Sequence, residues 1–139
     1  MMCCAACHGP RAYLSGDDTP WLSYQRTMCF GPCPAFTLEV ASDGSAAYHG
    51  KANVDRTGTY TGNWSQDQLL AIASIAAAIR LDRKAGVYDN PMITDLPATR
   101  ISLGRYEVMD RVNGPDLSAL YTALDSLIDL TPWTPAPKQ

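Results

Sequence analysis

The chain has 139 residues, of which 46% are hydrophobic and 18% charged, with a formal net charge of -3. That length accommodates one domain, and the composition supports a packed core rather than a disordered chain. The charge is too mild and too scattered for a nucleic-acid footprint, and no apolar run approaches the roughly 20 residues of a membrane helix.

The first residues, Met1-Met2-Cys3-Cys4-Ala5-Ala6-Cys7, are apolar and small, and then the composition turns polar. They read either as the tail of a lipoprotein signal, with Cys7 as the lipid-modified residue, or as a fortuitous, unstructured leader. The charged and most of the apolar part of such a signal does not precede it. The same stretch also spells C-x-x-C-H at Cys4 to His8, the attachment pattern of c-type haem. The strands expected downstream offer no helical pocket, so no cofactor is expected. Residues 8 to 20 are rich in Gly, Pro, Ser and Asp and read as a linker. Residues 1–20 are thus leader and linker, 21–130 one domain, and 131–139 a Pro-rich extended tail.

Within the domain, Trp21 to Arg26 alternates as a half-buried strand. Met28 to Pro34 holds two prolines and a glycine within four positions and reads as a tight loop. In Ala35 to Ala41, Phe36, Leu38 and Val40 share one face. Asp43-Gly44 is a hairpin turn, Ala46 to His49 the return strand, and Thr57 to Trp64 continues the meander. At Ser65 the period changes to helical. Ser65 with Gln68 is a capping box, Trp64 a staple before it, and Leu69, Ile72, Ala73, Ala76 and Ile79 a stripe. The helix is expected to close at Lys84-Ala85-Gly86. A long loop over 87–98 precedes two strands, Thr99 to Leu103 and Tyr106 to Val112, joined at Gly104-Arg105. Pro115 is expected to open a second helix with Leu117, Leu120, Tyr121, Leu124, Leu127 and Ile128 inward. The expected fold is α+β, a mainly antiparallel sheet of about six strands in the order ββββαββα, with two helices on one face.

Cys29 and Cys33 flank Phe30-Gly31-Pro32 and are the leading chemical candidates. A structural disulfide is the first reading. A thiol redox pair and a metal site are the others, but the pair leads into a strand rather than a helix, and few further ligands are at hand. Arg26 and Asp95 form a candidate polar site, as a brace between loops or an anion pocket. His49 reads as a strand residue, and Glu107 and Asp110 as solvated. No catalytic residue and no metal site is assigned, because no Ser/His/Asp array, phosphate loop or H-E-x-x-H motif is present.

Arg26-Thr27-Met28-Cys29-Phe30-Gly31-Pro32-Cys33-Pro34 resembles the R-T-x-C-F-G-x-C-P signature of a widespread bacterial domain of unknown function. Tyr48-His49-Gly50 is similar to its Y-x-G, and Thr94 to Thr99 to its T-D-L-P-x-T. The resemblance runs from about Leu22 to Leu130. It departs at Met28, often Pro in that family, and in the length of the last hairpin. It implies the fold and an exported or lipid-anchored location, and brings no activity. The expectation is therefore a non-catalytic binding or structural module of the cell envelope, stabilised by a Cys29–Cys33 disulfide. Its partner would be a protein or cell-wall component. The alternative is a redox protein or enzyme using the Cys29/Cys33 loop with Arg26 and Asp95.

Overall fold

The computed structural model describes residues 11–14, 20–93 and 96–136. In chain order the elements are α1 (Arg11–Leu14), β1 (Leu22–Arg26), β2 (Ala35–Val40), β3 (Ser45–Ala52), β4 (Gly58–Asn63), α2 (Gln66–Ala78), α3 (Leu81–Lys84), β5 (Gly86–Tyr88), β6 (Thr99–Leu103), β7 (Tyr106–Asp110), α4 (Ser118–Leu130) and β8 (Thr134–Pro135). The strands form one eight-stranded sheet in the order β5-β7-β6-β1-β2-β3-β4-β8. Every pairing is antiparallel except β5 with β7.

The sheet separates two environments by alternation. On one face Leu22, Tyr24, Phe36, Leu38, Val40, Tyr48, Ile101, Leu103 and Val108 are buried in one cluster with Leu69, Ile72 and Ala76 of α2 and Leu120, Leu124 and Ile128 of α4. The opposite face carries exposed Glu39, Ala47, His49, Arg100 and Glu107 and is left to solvent. The mixed α+β class and both long helices on one face are therefore as expected. Ile79 packs only at the core's margin.

The six-strand count needs correction. β5 starts at Gly86, expected as the helix cap, and runs into the stretch expected as loop, and β8 lies inside the Pro-rich tail. Both are too short to show a period; what makes them strands is a neighbour. β5 lies parallel to β7, pairing Val87 with Met109, and β8 pairs Thr134 with Thr61. Pro135 is tolerated because β8 is the sheet's edge. The tail is extended, but it is anchored: Trp133 Nε1 donates to Ile128 O at 2.8 Å, and its ring lies 5.5 Å from that of Tyr48. Gly62 makes room, since a Cβ there would come within 2.8 Å of Thr131 Cγ2.

The stretch expected as linker also contains structure. Tyr13 of α1 is buried, its hydroxyl donating to Asp82 Oδ1 at 3.1 Å, and its carbonyl accepts from Trp21 Nε1. The first helix does not run unbroken to Gly86. Arg80 takes a left-handed conformation at φ 56°, which turns Leu81 into the core and lets Arg80 Nη2 meet Asp82 Oδ2 at 2.7 Å. The second helix starts at Ser118, three residues after Pro115, where Asp116 Oδ1 accepts the Ser118 N–H at 3.0 Å. The capping box is formed as read, with Ser65 N donating to Gln68 Oε1 at 2.8 Å and Gln68 N to Ser65 Oγ at 3.2 Å.

Candidate functional site

The Cys loop hangs between the end of β1 and the start of β2. The sulfurs of Cys29 and Cys33 lie at disulfide distance, with their Cα atoms 5.7 Å apart, inside the span a bridged pair adopts. Three further ties hold this loop and its neighbour. Thr27 N donates to Ala98 O at 3.0 Å and Ala98 N to Thr27 Oγ1 at 2.7 Å, which joins the Cys loop to the loop before β6. Asn53 Nδ2, from the β3–β4 turn, donates to Cys33 O at 3.1 Å. Arg111 reaches from the end of β7 to Asp89 Oδ1, at 2.6 Å, and to the carbonyls of Asn90 and Ile93. The hydrogen bond from Arg111, with a second from the Asn90 N–H and the attraction of the guanidinium, holds the Asp89 carboxyl below its usual range.

Arg26 occupies an inward-facing position at the end of β1, on the same side as Leu22 and Tyr24. A guanidinium there must be compensated. Its Nε donates to Tyr24 Oη at 2.9 Å, and Tyr24 Oη in turn donates to Asp125 Oδ1 on α4 at 2.9 Å. Its Nη2 lies 3.5 Å from Asp125 Oδ2, with the two side chains 29% and 47% exposed. The same cation lies 5.6 and 5.8 Å from the ring centres of Tyr24 and Tyr121, and those two rings stack at 5.8 Å. Burial pushes the Tyr24 hydroxyl well above the usual phenol value, with the Asp125 charge adding to it. Burial also pushes Tyr121 up to about 12. The Tyr121 hydroxyl is buried and, among the described residues, has no hydrogen-bond partner.

Beside this cluster opens a cleft of about 220 Å³ lined by Arg26, Pro34, Asn53, Arg56, Asp125 and Asp129, among others. Its chemistry is that of a charged, half-apolar groove; neither tyrosine hydroxyl is a ready proton donor or base near neutral pH. Of the candidate polar pair, Arg26 is engaged by Tyr24 and Asp125, while Asp95 lies outside the described residues. Cys7 and the C-x-x-C-H stretch lie outside them too. His49 is an exposed strand residue whose Nδ1 is 2.8 Å from Thr59 Oγ1. Glu107 and Asp110 stand an odd number of residues apart on β7 and so face opposite sides of the sheet. Among the described residues no group of His, Cys, Asp and Glu is placed to hold a metal ion, and no helix is long and apolar enough to cross a membrane.

Sequence reasoning missed Asp125 and gave Tyr24 and Tyr121 only a packing role. The available signal was Arg26 itself, a charge placed where the strand's alternation demands a core residue. Tyr121 and Asp125, spaced i and i+4, mark the helix face that meets it.

Fold and site together define a two-layer α+β domain with a cysteine-closed loop tied to its neighbouring loops and, at the end of β1, an Arg–Tyr–Asp cluster. A family model for DUF6438, a domain of unknown function, matches residues 20–128, and the chain belongs to that family. No curated protein and no solved structure matches it.

Proposed function

We propose that this domain is a non-catalytic binding or structural module of the bacterial cell envelope, held in shape by a Cys29–Cys33 disulfide. The observation that carries the reading is the way the cysteine loop is tied. The pair is half-buried, at bonding distance, and its loop is fastened to the β3–β4 turn and to the loop before β6. The loop runs into β2, so no helix N-terminus lowers a thiol pKa there. Such a pair acts as a staple, and closing so short a loop contributes about 2 kcal/mol. A stable pair of this kind belongs in an oxidising compartment. The apolar leader ending at Cys7 supports export and a lipid anchor, with a protein or cell-wall component as partner.

Thiol counting tests the staple. In protein carrying Cys3→Ser, Cys4→Ser and Cys7→Ser, the denatured chain is expected to show no free thiol without reductant. The reduction potential of the pair is expected below about -300 mV. A readily reduced pair with one acidic thiol would instead support a redox protein using the loop beside Arg26. The anchor is tested by labelled fatty acid, whose incorporation in a bacterial host is expected to disappear in Cys7→Ala.

A further inference from the structure

Both loops at the Arg26 end of the sheet expose large apolar side chains. Phe30 is 85% and Met28 61% exposed on the Cys loop, and Met92 is 88% exposed on the loop that Arg111 clamps. Leu96, near the junction with Thr27, is also exposed. A single exposed apolar residue is ordinary, but these four and Ile93 gather on two loops that hydrogen bonds join. These side chains do not sit on slack chain. The Cys29–Cys33 pair, the Thr27–Ala98 hydrogen bonds, the Asn53 bond to Cys33 O and the Arg111 clamp already hold the backbone that presents them. A surface ordered in advance loses less entropy on binding, and methionines adapt to the apolar shape they meet.

The charge beside these loops identifies the occupant. The cleft that begins at Pro34 and Asn53 carries Asp55, Asp125 and Asp129 against Arg26 and Arg56, and Arg26 is already turned to Asp125. Its balance is acidic, as is that of the whole chain at -3. An anionic bilayer would bring like charge to it. We propose, resting on the binding-module reading, that this end of the sheet is a docking surface for a partner-protein segment that carries apolar side chains next to Lys or Arg. The apolar groups would cover Phe30, Met28 and Met92, and the cation would enter the Asp125–Asp129 cleft.

The test is selection of a random dodecapeptide display library on the full chain under non-reducing conditions, followed by affinity measurement on synthesised winners. Enriched peptides are expected to place Lys or Arg within a few residues of aromatic or aliphatic side chains. Their affinity is expected to fall at least about tenfold on Phe30→Ser or Met92→Ser, and several-fold on Asp129→Asn. Glu107→Gln, on the open sheet face, is expected to leave it unchanged. Phe30 and Met92 are exposed, so an unaltered melting temperature would verify folding of those variants. Winners that bind wild type and Phe30→Ser equally would overturn this surface and leave the binding-module reading standing. Absence of any enrichment would also overturn this surface, while a structural or cell-wall-binding role would stand. Phe30-dependent binding to vesicles of 30% phosphatidylglycerol and 70% phosphatidylethanolamine would replace the protein partner with a membrane. Phe30-dependent self-association in sedimentation would replace it with a second copy.

Discussion

Asp125 is the point where the long helix α4 holds the end of β1, and its removal separates two contributions. In Asp125→Ala the fully buried Tyr24 loses the acceptor of its O–H, 2.9 Å away, and Arg26 loses a carboxylate at 3.5 Å. A hydrogen bond to a charged acceptor is worth about 1.5–3 kcal/mol. The ion pair joins two partly exposed side chains and adds at most about 1 kcal/mol. The expected loss is therefore about 1.5–4 kcal/mol, or a fall of roughly 6–16 °C in Tm for a domain of this size. Asp125→Asn keeps an acceptor oxygen for Tyr24 and gives up only the charge, so its loss should stay at about 1 kcal/mol or less. Urea unfolding followed by tryptophan fluorescence, with thermal melts beside it, measures both. Equal losses in the two variants would refute the reasoning, because the charge rather than the buried hydrogen bond would then be the source. A loss below about 0.5 kcal/mol for Asp125→Ala would refute the network itself.

Tyr121→Phe removes a buried hydroxyl that has no partner among the described residues and keeps the stack on Tyr24. It is expected to stabilise the fold by about 1 kcal/mol, and a comparable loss in denaturant would show that the hydroxyl is bonded. Tyr24 and Tyr121, both raised chiefly by burial, should ionise only above the usual phenol range in an absorbance titration. Because their folded values lie above the unfolded value of about 10, their contribution is intact below about pH 10. It is lost as pH rises through the folded values, with stability falling by up to about 1.4 kcal/mol per pH unit for each; ionisation of these two near pH 10 in still-folded protein would contradict this. Gly62→Ala drives a Cβ to 2.8 Å from Thr131 Cγ2 and 3.1 Å from Trp133 Cε3. It is expected to cost about 1–3 kcal/mol and to shift Trp133 emission, and an unchanged melt would show that β8 moves aside freely.

Local pattern determined much of this protein. Period-two alternation assigned Phe36, Leu38 and Val40 to one face, because strand side chains can only alternate. Ser65 and Gln68 marked the start of α2, because a helix's first N–H groups need acceptors within a few residues. The spacing of Cys29 and Cys33 around a Gly-Pro loop brought their sulfurs within reach, since so short a segment leaves little freedom. What lay beyond the sequence were choices between distant partners. β5 and β8 are strands only because β7 and β4 present free edges to them, Tyr13 joins the core only because Asp82 meets its hydroxyl, and Arg26 can face inward only because Asp125, 99 positions further along, arrives beside it. Each of these is a pairing whose two halves are unremarkable alone, so only the folded chain, by bringing them to hydrogen-bonding distance, decides it.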